Sequence, residues 1–318
     1  MGDRFSTALF ASLVSSLVGC SPTVPSNSPA GPNEAQVRAF VTILPQLDFV
    51  RRIGGERVHV DCLVGPGQSH HTYEPTPRQM TELARAQVYF AMGVPCEHSL
   101  LPRIADVDRD ILIVDTSAGV SFRHGDACAH LHPAGQSDAD DHHSSNDPHI
   151  WLDPRLVKIQ ARHIRDALSR VDAAGKANYQ KNCADFEDQL DQLHAELAAR
   201  LAPYRGREFI VFHPAYGYFA DAYALVQVAV EEDGKEPTVK HLTRLIDLAR
   251  SEGIKVIFVQ PQFASAGAAA VAAAVQGRIV PLDPMTVDYL RDMREISQKI
   301  AAGFSRNAEP EKLSALDR

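Results

Sequence analysis

Residues 174–202, AGKANYQKNCADFEDQLDQLHAELAARLA, decide the architecture. Leu190, Leu193, Leu197 and Leu201 return every three or four residues, the period of one face of an α-helix. A helix over all 29 residues, at ~1.5 Å each, is about 43 Å long and reaches from one domain to another. The same pattern fits a single long surface helix, so the flanking sequence has to choose.

Both flanks alternate short apolar runs with amphipathic ones. Before the helix, strands are expected at 40–44, 58–64, 88–92 and 111–115, with helices at 44–53 and 76–85. A further helix runs to about residue 171 from Asp153-Pro154, where aspartate caps free N–H groups and proline fits the first helical position. After the long helix, strands at 209–212, 226–230, 256–259 and 279–282 alternate with helices at 216–223, 238–252, 266–275 and 287–304. Such βαβα alternation builds a mostly parallel sheet covered by helices. The predicted fold is α/β: two lobes, each with a mostly parallel sheet flanked by helices, joined by one long rigid helix. The expected division is 37–173 for the first lobe, 174–203 for the linking helix, 204–304 for the second lobe and 305–318 for a charged tail. A single large α/β domain is the rival.

The 318 residues suffice for two domains of ordinary size. A net charge of -8 with no basic stripe argues against nucleic acid and attracts cations weakly. Arg4 precedes an apolar run, ALFASLVSSLVG (8–19), far shorter than the roughly 20 residues a bilayer span needs. It ends in Leu17-Val18-Gly19-Cys20, which resembles the bacterial lipobox. The expectation is a lipoprotein signal over 1–20, lipidation at Cys20 and a Ser/Pro/Gly/Asn-rich tether over 21–36. Cys62, Cys96, Cys128 and Cys183 remain; none forms a CxxC pair, and export would permit disulfides without fixing a pairing.

Chemistry concentrates in 124–151, HGDACAHLHPAGQSDADDHHSSNDPHIW. Six of the fourteen histidines fall between His124 and His149, with five aspartates and no lysine or arginine. So polar a run buries little and reads as a loop over 124–148 that collects divalent cations. Other candidates sit just past strand ends, where open α/β sheets bind ligands. His70 and His71 follow the 58–64 strand, His213 follows 209–212, and Asp283 follows 279–282. With His149 between Pro148 and Trp151, one residue from each of four segments could converge. Three imidazoles and a carboxylate suit Zn²⁺, with Mn²⁺ or Fe²⁺ as alternatives.

Four stretches in this order, GPGQSHHTYEPTP (65–77), NDPHIWLDP (146–154), FIVFHPAYGYFADAY (209–223) and RIVPLDPM (278–285), resemble the cluster A-I (cluster 9) solute-binding proteins of ABC transporters for zinc or manganese, including the ZnuA/TroA-like family. The resemblance runs from Val37 to Phe304 and implies metal ligands at His71, His149, His213 and Asp283. Three histidines with one aspartate resemble the zinc-selective set; manganese members usually carry two histidines and two carboxylates. The upstream His124, His130, His132, His142 and His143 are then accessory collectors. His70 stands where many relatives have proline or a metal-touching glutamate, which makes it a competing ligand. Gln260 stands where glutamate is common, so a carboxylate behind the site is not expected there. Glu74 and Glu236 are read as turn stabilisers.

The resemblance implies an exported, monomeric, lipid-anchored zinc receptor, in the bacterial periplasm or on the outer face of the cytoplasmic membrane, that hands its ion to an ABC permease. It also implies no catalysis, because four protein ligands leave no open position for an activated water. A stiff linking helix implies little hinge swing. The alternatives are a manganese or iron receptor, a surface adhesin or metal-buffering lipoprotein, and, least favoured, a zinc hydrolase using Glu74 as base. No HExxH or Gly-x-Ser-x-Gly accompanies the histidines.

Overall fold

Strand β1 (Val37–Val41) sits inside the first sheet, and its alternation shows how the sheet is covered. Val37, Ala39 and Val41 face one apolar cluster while Phe40 faces another, as the two-residue strand period requires. The computed structural model describes residues 36–107, 110–123, 146–232, 235–263 and 266–306. The expected signal, the tether up to residue 35, the tail from residue 307 and the collecting histidines, with Cys20 and Cys128, lie outside the described residues, while residues 305–306 of the expected tail continue the last helix.

After β1 come α1 (Leu44–Gly54), β2 (Val58–Cys62), α2 (Pro77–Leu83), β3 (Val88–Ala91), α3 (Glu97–Val107) and β4 (Leu112–Asp115). The chain then enters α4 (Pro154–Val171) and α5 (Lys176–Leu201). The second half runs β5 (Glu208–Val211), α6 (Gly217–Tyr223), β6 (Val226–Ala229), α7 (Val239–Ser251), β7 (Val256–Val259), α8 (Ala266–Ala274), β8 (Arg278–Pro281) and α9 (Tyr289–Arg306). The strands form two four-stranded sheets, ordered β2-β1-β3-β4 and β6-β5-β7-β8, and every strand pair is parallel. In both sheets the order reverses between the first and third strands, which opens the crevice where α/β sheets take ligands.

The long helix α5 spans 26 residues, about 39 Å at ~1.5 Å per residue, with a 3₁₀ turn at each end in place of the three extra residues expected. Its buried face is Tyr179, Cys183, Phe186, Leu190, Leu193, Leu197 and Leu201. That face belongs to one apolar core containing Val41 and Phe90 of the first sheet and Phe209, Val211 and Phe258 of the second. The second sheet shows the same alternation as β1: Phe209 and Val211 face the shared core, Ile210 and Phe212 the second lobe's own. Both faces of both sheets are thus covered, as parallel sheets require.

Local chemistry sets the element starts. Thr76 caps α2 in a reciprocal box with Gln79, and Asp153 caps α4 by accepting from the Arg155 N–H at 2.9 Å. Thr238 caps α7 through the His241 N–H. Two elements depart from the sequence reading. β1 begins three residues earlier than expected, because residues 42–44 turn out of the sheet into α1. Helix α3 was not expected; Pro102 inside it breaks the sequence signal, while Leu100 and Ile104 anchor it at i,i+4. Among the described residues no helix is long and apolar enough to cross a membrane, and Cys62, Cys96 and Cys183 are free thiols.

Candidate metal centre

The chain brings His70, His71, His149 and His213 together. His70 and His71 lie on the loop after β2, pinned where the Cys96 N–H donates to the His70 carbonyl at 3.2 Å. His149 heads a 3₁₀ turn, Ile150–Leu152, whose three side chains are all buried, so packing fixes the backbone at His149. His213 follows β5, and the Gln260 amide grips its main chain at both ends. The His213 N–H donates to Gln260 Oε1 at 3.2 Å, and Gln260 Nε2 donates to the His213 carbonyl at 2.7 Å. A glutamate at 260 would lack that second donor.

His213 Nε2 lies 3.0 Å from His71 Nε2 and 3.3 Å from His149 Nε2. Zinc–imidazole bonds of about 2.0–2.1 Å in a tetrahedral shell set neighbouring nitrogens about 3.3 Å apart. Ring nitrogens of His70, His71 and His149 also lie within 4.8 Å of one another. His70 Nε2 is buried with no hydrogen-bond partner among the described residues. The His70 ring sits 5.4 Å from that of His149 and 4.2 Å from that of His71.

Carboxylates stand behind two of the rings. His213 Nδ1 pairs with Glu231 Oε1 at 2.7 Å, and His149 Nδ1 with Asp147 Oδ1 at 2.7 Å. Each carboxylate accepts a hydrogen bond from the Nδ1–H and so leaves the Nε2 lone pair facing the other rings, the tautomer a metal ligand needs. Burial, reinforced by the neighbouring imidazoles, holds His70 well below its usual range and lowers His71 to about 3. His213 is lowered as well: burial and His149 outweigh the pull of Glu231. These three rings are uncharged at neutral pH and have lone pairs to give. Phe263 stacks on His213 at 4.7 Å, and Trp151 lies 5.1 Å from His149, so the donors sit among aromatic walls.

Asp283 follows β8 as expected, but its Oδ1 already accepts from Gln262 Nε2 at 2.8 Å and from the Met285 N–H at 2.9 Å. Glu74 and Glu236 are exposed. Sequence reasoning did not single out Glu231 or Asp147. Glu231's position just past a strand end, like that of His213, was the available signal. His124, His130, His132, His142 and His143 lie outside the described residues.

Comparison with known proteins places this chain in a family. The family described as zinc-uptake complex component A, periplasmic, matches residues 40–303. The chain is similar to a crystal structure of ZnuA, with 33% identity, a TM-score of 0.77, and coverage of 84% of this chain and 99% of that one. A zinc-bound deletion mutant of ZnuA gives 34% identity and a TM-score of 0.75, covering 84% and 98%. Among curated proteins, the zinc-binding lipoprotein AdcA of Streptococcus pneumoniae is 26% identical over 238 residues, 71% of this chain. That match spans 46% of AdcA, so the chain covers about half the length of this relative. The chain belongs to the family of the periplasmic component A of zinc-uptake complexes.

Proposed function

We propose that this chain is the zinc-capturing receptor of an ABC uptake system, a carrier and not a catalyst. The observation that carries this reading is the set of imidazoles whose Nε2 atoms converge from separate segments, two of them backed by carboxylates, the buried Glu231 and the half-buried Asp147. An all-imidazole set with closed walls suits zinc better than manganese, which favours carboxylate oxygens.

In this reading His71, His149 and His213 hold Zn(II), with His70 and Asp283 competing for the fourth place. The orphaned Nε2 favours His70, since a buried ring nitrogen without a partner costs about 1–3 kcal/mol and an ion relieves that cost. Asp283, with two donors already on one oxygen, then braces the site beside Gln262. The receptor is exported and lipid-anchored through Cys20, and it delivers its ion to a membrane permease. Its lobes are 37–173 and 204–304, linked by 174–203, and it works as a monomer. The histidines within 124–148 upstream of His149 collect ions at lower affinity.

Metal content and competitive affinity for zinc and manganese test this, repeated with His149→Ala and with residues 124–146 deleted. One tight zinc per chain, lost in His149→Ala and kept in the deletion, is expected. If the deletion abolishes the tight site while His149→Ala spares it, the ligand assignment is wrong.

A further inference from the structure

Arg123 takes no part in the site described above, yet both its side chain and its main chain are tied down beside it. It lies on the segment that leaves β4, eight residues past Asp115. Its guanidinium reaches α6 in the other half of the chain: Nη1 donates to the Gly217 carbonyl at 2.9 Å and pairs with the Asp221 carboxylate. The cation also lies 5.9 Å from the centre of the Tyr218 ring. Its main chain joins in, because the Arg123 N–H donates to Tyr218 Oη at 2.9 Å and the Arg123 carbonyl accepts from the Asp147 N–H at 3.0 Å. Tyr218 Oη in turn donates to the Asp147 carbonyl at 2.9 Å.

Asp147 makes this clasp more than surface decoration. Its Oδ1 holds both the His149 N–H, at 3.0 Å, and His149 Nδ1, at 2.7 Å, while its Oδ2 faces Arg123 Nε at 3.9 Å. One carboxylate therefore serves the arginine with one oxygen and a metal-site imidazole with the other. The far side of the clasp, α6, begins four residues after His213. Gly217 is shaped to the contact: a Cβ there would lie 2.8 Å from Arg123 Nε and 3.0 Å from Asp147 Oδ2.

The geometry points to Arg123 as a positioning residue, an interlobe latch that holds the His149 segment against the His213 segment and thereby sets how fast the ion leaves. Capture needs the donors to meet once, whereas retention needs them to stay together, so the latch acts on release. Asp147 is almost enclosed, its side chain 9% exposed, while Asp221 is 60% exposed. The latch can thus be opened from its outer end with the ligands still covered.

This inference rests on the zinc-receptor reading, and the test separates the two. Zinc release from the whole chain into excess chelator is followed by stopped flow for the parent, Arg123→Ala, Arg123→Lys, Gly217→Ala, Asp221→Ala and the Arg123→Ala/Asp221→Ala double variant, together with association rates and the melting of the metal-free chains. Expected is release about 10–100-fold faster in Arg123→Ala, the range seen when an outer-shell partner is lost, with association within about twofold. Gly217→Ala, which keeps every charge, should accelerate release similarly, and Arg123→Lys should recover part of the loss. The Arg123→Ala/Asp221→Ala double variant should release no faster than Arg123→Ala alone. A parent that holds zinc with Arg123→Ala releasing at the parental rate overturns the latch alone. So does a lowered metal-free melting temperature with an unchanged release rate, which marks a structural role only. A parent that holds no zinc overturns the receptor reading as well.

Discussion

Replacing Glu231 tests whether the carboxylate behind His213 tunes the ion site or only stabilises the fold. Glu231 is 4% exposed and His213 7%, so their 2.7 Å contact is shielded from water. In Glu231→Ala the His213 Nδ1–H loses its acceptor in a dry site, and the ring is free to turn. Loss of such a partner lowers metal affinity by roughly 10–100-fold, or about 1.4–2.7 kcal/mol. Glu231→Gln keeps an oxygen to accept the Nδ1 proton but removes the charge. A hydrogen bond to a charged group contributes about 1.5–3 kcal/mol against about 1 for a neutral pair. Glu231→Gln should therefore cost about 1 kcal/mol, near fivefold. Competitive zinc titration against a chromogenic chelator reads both values, and the order parent, Gln, Ala follows from the geometry. An Ala variant within twofold of the parent, or a Gln variant weaker than Ala, refutes the argument. So would a fall in metal-free melting temperature with affinity unchanged.

The remaining predictions concern acid, packing and the fourth ligand. Burial holds the folded-state value for His71 at about 3 against 6.5, so the metal-free fold is stabilised above pH 6.5 and loses that contribution as pH falls toward 3. Denaturant midpoints of the metal-free chain should drop across that window, and a flat profile would be inconsistent with a buried neutral His71. For the same reason proton competition at His71 should be weak between pH 7 and 5, and zinc titrations there should show a shallower pH slope than free imidazole does. Trp151→Phe removes the 2.9 Å bond from Nε1 to the Pro284 carbonyl and leaves a void at a fully buried site. A loss of about 1–3 kcal/mol is expected by urea denaturation, and a change under 0.5 would count against it. Gly277→Ala would put a Cβ 2.4 Å from the Lys255 carbonyl oxygen, a backbone atom that cannot swing aside. About 1–3 kcal/mol of destabilisation should follow. Finally, His70→Ala should weaken zinc binding at least tenfold and more than Asp283→Ala does; the reverse order would return Asp283 to the fourth place.

What could be read from the chain followed how local each signal was. The leucine period of α5 and the starts at Asp153-Pro154 and Thr238 are written in neighbouring residues, and the structure has them within a few positions. β1 is less local: the apolar residues Phe40, Val41, Ile43 and Leu44 run past the end of the strand, and only its pairing with β2 and β3 fixes the register at Val37–Val41. Pro102 hid α3 because its cost in a free helix is repaid only by burial of Leu100 and Ile104 against the sheet. The histidines and their convergence were legible, His70, His71 and His213 as residues just past strand ends and His149 at the close of the polar loop, but the carboxylates behind them were not. Glu231 opens an acidic run that looks like a solvated turn, and it becomes a partner of His213 only because β6 lies beside β5. Arg123 needed the same kind of information, since its partners lie about 95 positions away.

The shared core limits how such a site can let go of an ion. Opening the halves as rigid bodies would pull apart a cluster that holds Trp151, Tyr216, Phe209 and Tyr289 together with the buried face of α5. Re-exposing four large side chains alone costs roughly 6–12 kcal/mol at about 1.5–3 each, comparable with the total stability of an ordinary domain. Cross-connections add to this, because Trp151 Nε1 donates to the Pro284 carbonyl and Tyr289 Oη to the Trp151 carbonyl. The Arg123 clasp is different in kind. Its arginine side chain is 31% exposed and its outer aspartate 60%, so water can replace its contacts at about 1–3 kcal/mol. On the proposed receptor reading, local movement of the His149 and His213 segments would therefore cost far less than a swing of the lobes.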